Sequence, residues 1–165
     1  MKIAGIDNGL KGAVVYIDTV SNTVMFHDTP TINIKRSKDE YDEIRMLEFL
    51  TGVRPDIVYL EHAQAMPGQG VVSMFKTGYG FGLWKGILVG LGISHQTVRP
   101  LIWQKEFFKG KTGDPKTIAY QVCCSLFPRY ANQLKGSRGG LKDGRCDALL
   151  IAEYGRRLQG KYVPQ

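Results

Sequence analysis

Two short apolar runs in the sequence each end in a carboxylate. Ile3-Ala4-Gly5-Ile6 leads into Asp7, and Ile57-Val58-Tyr59-Leu60 leads into Glu61. The interior of a buried strand is a poor host for a charge, since an unpaired carboxylate there costs several kcal/mol. A strand's last residue emerges at the sheet's rim, where α/β folds gather their ligands. Two further acids, Asp143 and Asp147, stand four residues apart near the start of a final helical pattern. On a helix that spacing puts both on one face. If the helix begins only at Gly144 or Arg145, Asp143 sits in the preceding loop, still nearby.

Three or four carboxylates in one pocket repel one another unless a divalent cation lies between them. Mg²⁺ suits oxygen ligands and keeps waters for chemistry. Two such ions roughly 3.5–4 Å apart activate an attacking water and stabilise the leaving 3′-oxygen of a phosphodiester. Each acid also has a structural reading. Asp7 opens the Asn8-Gly9 turn, and Asp143 or Asp147 serves as an ordinary helix N-terminal acid. The structural reading is weakest for Glu61, because turn chemistry does not need a Glu there. Together and in this order, the acids point to a metal-dependent site.

The elements that must position them read as follows. Lys2–Ile6, Gly12–Ile17 and Asn22–Phe26 form a three-stranded meander. Residues 30–37 read as a connecting loop, and Asp39–Leu50 as a helix with Tyr41, Ile44, Leu47 and Leu50 on its apolar face. Ile57–Leu60 is a buried-type strand. An irregular stretch around Met66-Pro67-Gly68-Gln69-Gly70 precedes a helix over about Ser73–Leu91. A strand over Ile93–Val98, helices over Leu101–Phe108 and Pro115–Leu126, and a last helix over Arg145–Leu158 complete the chain. Asp114 and Pro115 supply an N-cap and N1 residue for the second of these helices. Strands alternating with helices predict one α/β domain over residues 1–165, with a mixed sheet.

The 165 residues carry 22 Lys and Arg against 15 Asp and Glu, a net charge of +7 and a pI near 9.4. Such a basic excess favours a polyanionic partner, because each phosphate neutralised releases a condensed counterion. Cys123, Cys124 and Cys146 lack zinc-ligand spacing and do not form a secreted disulfide framework, so they read as reduced thiols. His27, His62 and His95 are scattered. The apolar run from Gly86 to Ile93 is too short to span a bilayer, and no signal peptide precedes the first strand. The expected location is cytoplasmic, with no membrane partner.

At this point the sequence resembles the RuvC-type Holliday junction resolvases, and is most similar to their chloroplast-type branch. The matching segments are Gly5-Ile6-Asp7 with Gly12-Ala13-Val14, Val58-Tyr59-Leu60-Glu61, and the stretch from Gly78 to Leu88. Ser125-Leu126-Phe127-Pro128, Gln133-Leu134-Lys135 and the block from Asp143 to Ala152 also match, so the resemblance covers most of the chain in order. It implies an RNase H-like fold, a homodimer, and paired nicks in opposing strands of four-way junction DNA. It places Mg²⁺, as a two-ion site in which Mn²⁺ can substitute, at Asp7, Glu61 and Asp147, with Asp143 as the fourth acid. In bacterial RuvC proteins the last two acidic positions are three apart, which here would put Gly144 beside Asp147. Lys116 matches a lysine that the family holds near the scissile phosphate, where a cation stabilises growing negative charge.

Gly78, Gly82, Gly86 and Gly90 recur every fourth residue and would form one bare ridge on a helix. Close approach of another backbone is the expected reason: the central sheet, a partner helix or a DNA strand. The loop from Ala65 to Val72 carries Met66 and Gln69, side chains suited to an opened base step. Phe75, Lys76 and Tyr79 follow, the two aromatics on one helical face and available for stacking or for a core. Lys105, Lys109, Lys111, Lys135, Arg138, Lys142 and Arg145, with Arg36 and Lys38, are candidate phosphate contacts or solvated charges. Three competing functions use overlapping features: an RNA–DNA hybrid ribonuclease or transposase-like nuclease, a sugar-kinase-like ATPase, and a non-catalytic junction-binding protein. The ATPase would need a second phosphate-binding hairpin, which the sequence lacks, and the full set of acids argues against a dead site.

Overall fold

A computed structural model describes residues 1–35, 38–64, 68 and 70–161. Five strands form the central sheet: β1 (Lys2–Ile6), β2 (Ala13–Asp18), β3 (Thr23–Asp28), β6 (Ile57–Glu61) and β7 (His95–Val98), in the order β3-β2-β1-β6-β7. β1, β2 and β3 pair antiparallel, while β6 pairs parallel with both β1 and β7. The sheet is therefore mixed, as the order of elements predicts. Helices cover both faces: α1 (Glu43–Val53) and α2 (Val71–Gly90) on one, α3 (Pro100–Phe108), α4 (Pro115–Leu126) and α5 (Asp143–Lys161) on the other. Burial on both faces explains why β1 and β6 are continuously apolar rather than alternating.

Side chains alternate between the two cores. Ile3 and Tyr59 join the cluster with Trp103, Val122 and Leu149, whereas Ala4, Ile6, Val58 and Leu60 join the one with Met46, Trp84 and Leu88. Asp7 and Glu61 continue the parity of Ile3, Gly5 and of Ile57, Tyr59. Their carboxylates thus fall on the face that α5 covers.

α5 lies against β1 at backbone distance. A Cβ on Gly5 would stand 2.3 Å from both the Ala148 carbonyl oxygen and the Ala152 nitrogen. One on Gly144 would meet the Lys11 carbonyl oxygen at 2.3 Å, and one on Gly155 would enter the Tyr59 ring. Bare glycines facing alanines let the helix settle onto the strand, and this brings its first turn beside the end of β1.

Several expected elements require correction. Residues 30–37 are not a plain loop: β4 (Thr31–Lys35) and β5 (Lys38–Tyr41) form a separate antiparallel hairpin. The helix expected from Asp39 begins at Glu43, with Asp42 as N-cap accepting from the Arg45 amide at 3.1 Å. Its buried face is Met46 and Leu50, while Ile44 is 70% and Leu47 43% exposed. Tyr41 is buried from the hairpin instead, its hydroxyl donating to the Asn8 carbonyl at 3.0 Å. A 3₁₀ turn over Pro128–Leu134 follows α4, and α5 opens at Asp143 rather than Arg145.

Of the three reasons expected for the glycine ridge of α2, the central sheet is excluded, and a partner helix or a DNA strand is left. Gly78, Gly82, Gly86 and Gly90 are exposed, and beyond its own stretch of helix a Cβ at any of them meets no atom of the described residues within 4 Å. The glycine that packs is Gly80, where a Cβ would strike the Tyr41 hydroxyl and the Asn8 carbonyl. All three cysteines are free thiols.

These contrasts give paired outcomes in urea unfolding. Gly5→Ala should lose about 3 kcal/mol, because backbone must move to admit the methyl. Gly82→Ala should gain ~0.5–1 kcal/mol from helix propensity alone.

Candidate active site

The rim of the sheet at the ends of β1 and β6 gathers four acids from three elements. Asp7 follows β1 directly and enters a tight turn: its Oδ1 accepts from the Gly9 amide at 3.1 Å, and its own amide donates to the Ala13 carbonyl at 3.0 Å. The turn reading of Asp7 is therefore correct, yet the same carboxylate is surrounded by protein. Burial pushes its pKa up, the Gly9 amide opposes this, and the charge of Asp143 adds to it.

Glu61 ends β6. Burial and then the charge of Asp7 push its pKa up to about 7, against a hydrogen bond from Trp103. That bond runs from the indole Nε1 to Oε1 at 3.0 Å. Asp147, on the first turns of α5, is pushed up to about 8 by burial, then by Asp7 and Glu61, with smaller contributions from Cys146 and Asp143. Asp143 differs: the Lys116 ammonium, 2.5 Å from its Oδ2, holds it below the ordinary aspartate value.

These mutual influences show that Asp7, Glu61, Asp143 and Asp147 share one electrostatic neighbourhood. Carboxylates so placed favour either protonation or a cation between them. Their chemistry, oxygen donors only, fits a hard divalent ion such as Mg²⁺. Among the described residues, no group of three or more His, Cys, Asp or Glu side chains is placed to hold a metal ion as the side chains stand here. Two of the acids are instead held by side-chain partners, Glu61 by Trp103 and Asp143 by Lys116.

A strut behind the acids joins the two strands and the hairpin. The Asn8 amide, buried at 3% exposure, donates from Nδ2 to the Glu61 carbonyl at 2.7 Å, and Tyr41 donates to the Asn8 carbonyl. Asn8, Tyr41 and Trp103 were not singled out from the sequence as site residues. Asn8 reads there as turn chemistry and Tyr41 as part of a helix face, Trp103 carries no reading, and no local signal reveals their long-range partners.

The basic candidates are dispersed. Lys142 and Arg145 both pair with Asp28, at 2.9 and 2.6 Å, and Arg145 also donates to the Gln133 carbonyl. Lys135 lies over the Tyr120 ring, 5.3 Å from its centroid. Lys105 and Lys109 border an open groove floored by Leu101, Ile102 and Leu158. Lys111 and Arg138 are exposed. Lys76 and Lys11 border a groove that begins at Gly9, beside Asp7, and runs to the start of α2. Phe75 and Tyr79 stack at 6.4 Å, both exposed, with the Tyr79 hydroxyl donating to Glu43. Met66, Gln69 and Arg36 lie outside the described residues, as does the side chain of Lys38.

Raised carboxylate pKa values make stability fall with pH. The folded chain holds protons at Glu61 and Asp147 that the unfolded chain, with ordinary values of 4.5 and 3.8, releases earlier. Their contribution is fully present below pH ~4 and is lost as pH rises through about 7 and about 8. In EDTA, Asp147→Asn should therefore melt progressively higher than the unsubstituted chain between about pH 5 and 9. Added Mg²⁺ should raise the melting temperature of the unsubstituted chain more at the alkaline end, since ligands must be deprotonated.

No protein-family profile and no curated protein sequence matches the chain. Solved structures do. RuvC of Thermus thermophilus superposes with a TM-score of 0.63 at 17% identity, over 96% of this chain and 97% of that one. The same protein in complex with a Holliday junction substrate gives 0.63 at 16% identity, over 96% of each chain. The yeast mitochondrial Holliday junction resolvase Ydc2 gives 0.58 at 12%, over 98% of this chain and 84% of that one. The mixed five-stranded sheet flanked by helices is thus the RNase H-like fold of RuvC.

Proposed function

We propose that this chain is a divalent-metal-dependent endonuclease that resolves four-way DNA junctions. The observation that carries the proposal is the convergence of Asp7, Glu61, Asp143 and Asp147 from β1, β6 and α5 into one mutually perturbed cluster. It is supported by the fold shared with two junction resolvases and by the net charge of +7. In this reading the chain works as a homodimer, nicking two opposing strands.

Asp7, Glu61 and Asp147 would hold Mg²⁺, with Mn²⁺ as a substitute and Asp143 as a fourth donor. Bound there, the ion supplies Lewis acidity that activates water and offsets charge on the scissile phosphate. Lys116, exposed on the first turn of α4 and paired with Asp143, offers its ammonium to a non-bridging phosphate oxygen as negative charge grows. The pair keeps that ammonium at the cluster's edge instead of sweeping through solvent. Lys11 and Lys76, along the groove beside Asp7, suit a backbone phosphate leading away from the cut. No helix of the described residues is long and apolar enough to cross a membrane.

Incubation with a synthetic four-way junction, a linear duplex and an RNA–DNA hybrid, in Mg²⁺ and in EDTA, tests this directly. Symmetric nicks in the junction alone are expected, abolished by EDTA and slowed by ~10²-fold or more in Asp7→Asn and Lys116→Ala. Cleavage of the hybrid would move the function to a ribonuclease with the same carboxylates. Binding without cutting in either Mg²⁺ or Mn²⁺ would replace it with a non-catalytic junction-binding role.

A further inference from the structure

We infer that Trp103 is a positioning residue that sets the orientation of the Glu61 carboxylate for a bound divalent cation, a role that rests on the metal-dependent reading above. The register of β7 on β6 pairs Val98 with Glu61, so the chain leaves the sheet beside that carboxylate. Arg99 is extended and Pro100 starts α3 at once, which places Trp103 one turn in. The indole is fully buried and meets Phe108 edge to face, with centroids 5.7 Å apart and rings at 81°. A fully buried ring set against Phe108 aims its N–H in one direction, and that direction is Glu61 Oε1, 3.0 Å away.

Glu61 has the longest side chain of the four acids and so the most rotamer freedom to lose. Among the described residues, Trp103 is the sole side chain that donates to its carboxylate. The kind of donor matters. An ammonium such as that of Lys116 would neutralise the charge a cation needs, whereas an indole N–H fixes one oxygen and leaves the carboxylate anionic. Hydrogen-bond partners of metal ligands commonly set affinity by 10–100-fold.

The chain's other tryptophan supplies an internal control. Trp84 is as deeply buried, but among the described residues its Nε1 has no hydrogen-bond partner. Replacing both tryptophans by β-(3-benzothienyl)alanine, in which sulfur takes the place of N–H at nearly constant shape, therefore removes one hydrogen bond only, the one to Glu61.

The test measures Mn²⁺ binding by the electron paramagnetic resonance signal of free Mn²⁺, without any nuclease assay. The full chain, its benzothienylalanine form, Trp103→Phe and Asp7→Asn are compared, each checked for folding by near-ultraviolet circular dichroism. The inference expects the benzothienyl form and Trp103→Phe to bind Mn²⁺ ~10-fold more weakly or worse while keeping a folded spectrum. Should Trp103→Phe fail to fold, the benzothienyl form decides alone. Unchanged affinity in the benzothienyl form, with Asp7→Asn weakened, would overturn the role of Trp103 and leave the metal site standing. If the unsubstituted chain binds no better than Asp7→Asn, the metal reading itself fails and this inference falls with it.

Discussion

The contact between α5 and β1 is the constraint on which the rest of the molecule depends. Gly5 faces the Ala148 carbonyl and the Ala152 amide so closely that no side chain fits between them. Gly144 does the same against the Lys11–Gly12 turn. That turn begins at Asp7, and α5 carries Asp143 and Asp147 in its opening turns. A helix held one methyl farther from the strand would carry its acids away from Asp7 as well. Packing and site are therefore one design: small residues close the gap, and the closed gap concentrates negative charge.

That concentration works against folding. Three of the four carboxylates are pushed above their ordinary values by burial, with the neighbouring charges adding to the effect. The protein relieves the strain locally with donors that differ in kind. A backbone amide serves Asp7, an indole serves Glu61, and an ammonium serves Asp143. Only the last carries charge, so Asp143 alone of the four is neutralised from within the chain. This gradation gives a physical reason for Asp143 to be the outlying member of the set, whatever the spacing in related sequences.

Much of the site was legible because it obeys strand logic. A charge at the end of an otherwise apolar run belongs at a rim, and Asp7 and Glu61 could be read that way. Asp147 could be read as a helix-face acid. What failed was harder to encode locally. The hairpin of β4 and β5 is short and mostly exposed, so its pattern resembles a loop, and Tyr41 was credited to a helix face when it anchors the hairpin instead. The periodic glycines of α2 do not meet the central sheet, one of the three partners expected for them, while the glycines that touch backbone (Gly5, Gly80, Gly144) follow no period. Trp103 looks like any core aromatic, because its partner lies 42 residues away. Pairings across such distances belong to the fold and leave no mark in a window of sequence.

The central claim is that the carboxylates of β1, β6 and α5 together form a cation site. Anomalous diffraction from crystals soaked in Mn²⁺ addresses it most directly. The account predicts strong peaks bounded by Asp7, Glu61 and Asp147, lost in crystals of Asp7→Asn. Peaks confined to the surface elsewhere, or none at this rim with all three carboxylates ordered, would contradict it.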